Sequence, residues 1–147
     1  MPPHRGMPIG RHLASTAKTV SRAFGEALAE AGGSEHIWLI LMTLKTSENA
    51  NQREIAEAVG IQGATLTHHL NAMEADGLVT RRRDPDNRRV HVVELTAEGE
   101  AAFMRMRSAA VEFDRTLRGD LTDEEVGRFA AVLDRLRENA TGRARGR

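Results

Sequence analysis

Between Asn51 and Thr96 the chain carries an ordered series of stop and start signals that few folds accommodate. Asn51 followed three residues later by Glu54 forms a capping box, Ile55 and Val59 supply an apolar edge, and Gly60 ends that short helix. A second helix follows at once through Gly60-Ile61, with Leu66, Leu70 and Met73 on one face and Gly77 closing it. Leu78 to Arg83 and Val90 to Leu95 are β-prone stretches joined by Asp84-Pro85-Asp86-Asn87, residues that favour a turn, so they read as a hairpin. Two short helices and an immediate hairpin are the parts of a winged helix-turn-helix, whose second helix fits the major groove of double-stranded DNA.

The flanks are helical. Ile9, Leu13, Ala17, Val20, Phe24 and Leu28 recur at helical spacing until Gly32-Gly33, and Ser34 caps a nearly continuously apolar helix from Ile37 to Leu44. Thr96 caps a fifth helix with Phe103, Met106, Ala110, Phe113 and Leu117 on one stripe, and Leu121 to Leu136 form a sixth. The expected fold is mainly α with a small β-hairpin: a winged helix-turn-helix flanked by N- and C-terminal dimerisation helices. The expected organisation is a flexible arm over 1–9, a helical dimerisation region over 10–33 and 97–140, a winged lobe over 34–96, and a flexible basic tail over 141–147. The terminal helices lie too far along the chain to join the small core of the lobe. Their stripes therefore predict an intertwined homodimer through Leu13, Val20, Phe24, Phe113, Leu117, Phe129, Leu133 and Leu136.

Charge supports the nucleic-acid reading only when its distribution is considered. Lysine plus arginine and aspartate plus glutamate number 21 each, so the formal net charge is zero. Yet Arg81 to His91 holds five arginines against Asp84 and Asp86, while acids gather at Asp120, Asp123, Glu124 and Glu125. The chain can be neutral and still present a basic edge.

On the second helix of the motif, Ala64, Thr65, Thr67, His68 and Asn71 occupy the half opposite Leu66, Leu70 and Met73. Ala64 and the Thr65 methyl suit a thymine methyl, Asn71 suits an adenine edge, and His68 and His69 suit phosphate or guanine. Arg88 and Arg89 follow the tight turn and fit the minor groove; Arg82 and Arg83 add to that edge. Pairing of a wing arginine with Asp84 or Asp86 is expected to stiffen the loop. Gln62 precedes the recognition helix where Ser or Thr would cap better.

Ala64-Thr65-Leu66-Thr67, the run Leu70…Met73-Glu74-Ala75-Asp76-Gly77-Leu78-Val79, and Asp84-Pro85…Arg88-Arg89…Leu95-Thr96-Ala97-Glu98-Gly99 together resemble the MarR family of bacterial regulators. The likeness covers all but the tails. It implies an obligate homodimer, a winged lobe on each subunit, a short palindromic operator and, often, release by a small ligand. One departure is Asn87, where family members usually carry Asp directly before the two wing arginines.

The resemblance also implies a cleft for phenolic or other aromatic acids between the dimerisation helices and the lobe. His12, His36 and Trp38 lie on its expected walls, and can supply a hydrogen-bond donor and an aromatic face; Trp38 reads equally well as core. With no cysteine and six scattered histidines, neither a thiol sensor nor a metal site is expected, and no cofactor is implied. No catalytic constellation stands out, which argues against an enzyme. No apolar run reaches the roughly 20 residues that span a bilayer, so no membrane partner and a cytoplasmic location are expected. The rival within the DNA-binding class is a ligand-independent or architectural protein, which would discriminate little between sequences.

Overall fold

The computed structural model describes residues 6–145, in the order α1 (Ile9–Glu30), α2 (Glu35–Thr46), α3 (Gln52–Val59), α4 (Gly63–Ala75), β1 (Val79–Arg83), β2 (His91–Leu95), α5 (Ala97–Arg118) and α6 (Asp123–Arg145). The chain divides into two compact units, 1–111 and 112–147.

In the first unit, local signals fix the element ends. Ser34 accepts from the Ile37 amide at the start of α2. Asn51 and Glu54 close a reciprocal capping box on α3, satisfying amides that the helix itself leaves without partners. Gly60 then turns the chain in the left-handed region at φ 77°, where a Cβ would be strained, so α4 can start three residues later. β1 and β2 pair antiparallel from Val79 opposite Leu95 to Arg83 opposite His91, which fixes the hairpin register. An isolated bridge from Asn51 to Val92 and the bond from the Val93 amide to the Ala50 carbonyl tie the wing to the start of α3.

The core of this unit draws on every element. Ile40 and Leu41 of α2, Ile55 of α3, Leu66, Leu70 and Met73 of α4, and Val79 and Val93 of the hairpin are buried together with Leu28 of α1 and Ala102, Phe103 and Met106 of α5. Burying each large aliphatic side chain is worth about 1.5–3 kcal/mol, so these contacts fix where the recognition elements sit. The expectation that the terminal helices stand outside the lobe's core is therefore corrected for α1 and for the first turns of α5. Phe24 also packs against this cluster from a half-buried position, and Trp38 of α2 stacks on Phe103 of α5 with ring centroids 5.5 Å apart and planes 10° from parallel. Sequence distance misled because a helix entering directly from β2 is brought back onto the core by its own connection.

That connection is tight. Thr96 donates its hydroxyl to the Gly77 carbonyl and its amide to the Leu78 carbonyl, and it accepts from the Gly99 amide at 3.0 Å, capping α5. Gly99 is needed here: a Cβ on it would lie 2.0 Å from the Leu78 carbonyl oxygen.

The second unit holds the end of α5 and all of α6. Thr122 and Glu125 form a cap at the start of α6, with the Glu125 amide donating to the Thr122 hydroxyl. α6 runs to Arg145, so the expected loose tail over 141–147 is helical through 145; the last two residues lie outside the described ones. Of the expected arm, residues 1–5 also lie outside them, and α1 starts at Ile9. Leu117, Leu121, Phe129 and Val132 are exposed, as are Ile9 and Leu13 of α1 in the first unit.

Candidate nucleic-acid interface

α4 presents its outward half through the burial of Leu66, Leu70 and Met73. That leaves Ala64, Thr65, Thr67, His68 and Asn71 exposed. Gln62 stands at the N-cap with no side-chain bond to the helix, so the first amides of α4 keep unfilled donor capacity among the described residues. The positive end of the helix dipole adds to the attraction for an anion there.

Not every exposed group on α4 is equally available. The Thr67 hydroxyl donates to the Gly63 carbonyl at 2.9 Å and accepts from the Gln52 amide at 3.4 Å. His69 turns toward α2 and meets His36 with ring centroids 5.0 Å apart, while His68 lies 5.9 Å from His69 on its other side. Desolvation, and then the neighbouring His36 and His68, hold the His69 pKa below its ordinary value, so this imidazole stays neutral at pH 7. His68 is the outward member of the pair.

Asn71 is engaged from the wing. Arg81 donates from Nη2 to Asn71 Oδ1 at 2.6 Å and to Glu74 Oε1 at 3.1 Å, and its Nε lies 3.4 Å from Glu74 Oε2. The hydrogen bond from Arg81 lowers the Glu74 pKa, keeping the carboxylate charged. Arg81 belongs to the set of wing arginines legible in the sequence, but its bridge between β1 and α4 was not. Its signal is the register that places residue 81 beside the last turns of α4.

The wing loop is ordered by short polar side chains acting on the backbone. Asp84 Oδ1 accepts from the Asp86 amide at 2.8 Å, and Asn87 Oδ1 accepts from the Arg89 amide at 3.2 Å. The Asp84 amide and Val90 carbonyl close the loop at 2.8 Å. Asn87 thus orders the loop through a backbone amide rather than through a guanidinium. The expected pairing of Arg88 or Arg89 with Asp84 or Asp86 is corrected: among the described residues no ion pair joins them. Arg83, Arg88 and Arg89 are exposed and have no ion-pair partner among the described residues, whereas Arg82 is paired with Glu94 at 2.9 Å across the hairpin.

The three residues named for a ligand cleft are dispersed in character. His12 is half-buried on α1, His36 is exposed at the start of α2 against His69, and Trp38 has its aromatic face covered by Phe103. A separate open depression of about 510 Å³ lies between α3 and α4, lined in part by Gln52, Ala56, Ile61 and Thr67. Among the described residues no group of three or more His, Cys, Asp or Glu is placed to hold a metal. No helix among them is long and apolar enough to cross a membrane.

Residues 34–91 match the MarR family model, a span that contains α2 to the end of the wing loop. The chain is 28% identical over 121 residues to the Bacillus subtilis HTH-type transcriptional regulator YdgJ, covering 82% of this chain and 74% of that protein. It is 29% identical over 101 residues to the homoprotocatechuate degradative operon repressor of Escherichia coli, covering 69% and 68%. Among solved structures, the transcriptional repressor CouR bound to a 23-mer DNA duplex superposes with a TM-score of 0.80 at 26% identity, over 88% of this chain and 92% of that one. The PcaV regulator of Streptomyces coelicolor, in complex with its natural ligand, shares the fold with a TM-score of 0.77 at 19% identity, over 93% and 99%. These relatives are regulators rather than enzymes, in line with the lack of a catalytic constellation in the sequence. With an exposed recognition helix and a basic wing assembled on one core, the chain carries a winged helix-turn-helix that matches the MarR family model over residues 34–91 and is similar to DNA-binding transcriptional regulators.

Proposed function

We propose that the protein is a homodimeric repressor that binds a palindromic operator and is released by a small aromatic or phenolic acid. The observation that carries the reading is the pairing of an outward α4 face with a wing tip whose arginines have no acidic partners among the described residues. In this reading α4 enters the major groove, where Ala64, Thr65, His68 and Asn71 meet base edges and Gln62 and Thr67 meet the backbone. Arg83, Arg88 and Arg89 follow the adjacent minor groove, with Arg82 contributing less because Glu94 already neutralises it. His69, neutral and turned to His36, supports the helix rather than contacting DNA.

Exposed apolar side chains at both ends of the chain support self-association: Leu13 on α1, Leu117 on α5, and Phe129 on α6. Val20, Phe113, Leu133 and Leu136 are half-buried and complete the proposed interface, with Phe24 bracing the core instead. Repression is supported by the names of two relatives, the homoprotocatechuate operon repressor and CouR. A ligand is supported by PcaV, solved with its natural ligand, and by BpsR, whose DNA binding is regulated by 6-hydroxynicotinic acid. For this chain His12 and His36 remain the candidate polar contacts, and Trp38 shapes the wall from within the core.

An inducer acts only through differential affinity: it must favour a lobe spacing that mismatches successive major grooves, about 34 Å apart along the duplex. Binding to short duplexes in the presence and absence of hydroxybenzoic acids tests this. The expected result is tight binding to one inverted repeat, weakened by one acid. Equal binding to any duplex would indicate an architectural protein instead.

A further inference from the structure

Asn71 is one of the few exposed side chains on α4 that can both donate to and accept from a base edge, and the wing engages its accepting end. A guanidinium only donates, so the Asn71 atom 2.6 Å from Arg81 Nη2 is the amide oxygen, whichever way the amide group is drawn. Arg81 is itself held by Glu74, one turn along α4, and its side chain is only 17% exposed. The contact is therefore anchored at three points: β1 carries Arg81, and α4 carries both Asn71 and Glu74.

We propose that Arg81 is a specificity-determining positioning residue that fixes Asn71 as a donor-only reader of DNA. The inference rests on the reading that α4 enters the major groove. An asparagine that recognises adenine presents its oxygen to N6–H₂ and its amide hydrogens to N7 together. With Oδ1 turned to the wing and one of its lone pairs taken by Arg81, the group that Asn71 has wholly unengaged among the described residues is Nδ2–H₂. That group suits guanine, whose N7 and O6 are both acceptors, and leaves the N6–H₂ of adenine without a partner. The simple expectation from an exposed asparagine, an adenine contact, is thus inverted by a residue that touches no base. The same contact links the base read by α4 to the position of the wing, because a shift of β1 against α4 releases Oδ1.

The test is selection of bound duplexes from a random pool with five proteins: the unsubstituted chain, Arg81→Met, Arg81→Lys, Asn71→Ala, and Asn71→Ala combined with Arg81→Met. Arg81→Met keeps an apolar stem and removes every donor, and its melting temperature checks that the fold is retained. The expected result is guanine at one position of each half-site for the unsubstituted chain and a shift of about tenfold in the adenine-to-guanine ratio at that position alone in Arg81→Met. Arg81→Lys, which still donates to Oδ1, is expected to restore guanine, and Arg81→Met is expected to change nothing further when Asn71 is already Ala. An enriched site whose base preferences are the same in Arg81→Met overturns the inference. So does a uniform loss of affinity at all positions, which marks Arg81 as a backbone contact. Failure of the unsubstituted chain to enrich any sequence overturns the DNA-reading assignment of α4, and the inference with it.

Discussion

Replacing Arg88 and Arg89 together with alanine isolates the electrostatic role of the wing. Both guanidinium groups are exposed at the tip and neither is in an ion pair among the described residues, so each is available to displace one condensed counterion from the duplex. Each phosphate neutralised contributes about 0.9 to the slope of log K against log salt, so the double substitution lowers that slope by about 1.8. Between about 50 and about 200 mM salt the substituted protein then loses about 12-fold less affinity than the unsubstituted one. The matched control is Arg82→Gln with Glu94→Gln, which replaces a 2.9 Å ion pair by a neutral pair of similar size. Its slope is expected to stay within about 0.3 of the original, because a neutralised arginine releases little counterion. Fluorescence anisotropy of a labelled operator over a salt series reads both. An unchanged slope for Arg88→Ala with Arg89→Ala, or an equal drop in the control, would refute the argument that unpaired wing arginines carry the phosphate contacts.

Three further outcomes are expected. Gly99→Ala places a Cβ 2.0 Å from the Leu78 carbonyl oxygen and is expected to destabilise the protein by about 1–3 kcal/mol in urea unfolding, with no effect if the α5 entry is loose. The depressed His69 pKa means that the unfolded chain binds the extra proton more readily, so stability is full above about pH 6.5 and falls as pH drops below it. His69→Asn is expected to flatten that decline in melting temperature, and an unchanged pH profile would remove the role assigned to the three clustered histidines. Leu133→Asp is expected to halve the mass seen by light scattering toward the 16.2 kDa of one chain, whereas a persistent dimer would place the interface elsewhere.

The sequence disclosed elements whose ends depend on nearby residues. The Asn51 and Glu54 box, Gly60, the Leu66, Leu70 and Met73 face and the hairpin are all set within a few positions of one another. What it did not disclose depends on partners far along the chain. Phe103 and Met106 look like the same α5 stripe as Phe113 and Leu117, yet the first two are buried in the lobe and Leu117 is exposed. Periodicity gives the face of a helix but not where along its length that face changes neighbour. The candidate site shows the same division. Exposure of Ala64, Thr65 and His68 follows from helical geometry, whereas the capture of Asn71 by Arg81 and of Arg82 by Glu94 follows from hairpin register, and the pairing of His69 with His36 from how α2 packs on α4. Side-chain type alone also misassigned the wing, where Asp84 and Asn87 accept from the backbone amides of Asp86 and Arg89 rather than an acid pairing with the guanidinium of Arg88 or Arg89.

That last arrangement has a consequence for how the protein responds to its surroundings. A loop held by side-chain acceptors on its own amides keeps its shape when ions are added, whereas one held by carboxylate–guanidinium contacts softens. The turn at the wing tip accordingly keeps its shape in variable salt, while the Arg81–Glu74 and Arg82–Glu94 pairs at its base are the salt-sensitive contacts. An ionic-strength response carried by Arg88 and Arg89 then reports the atmosphere around the nucleic acid they touch, and not a change in the turn that presents them.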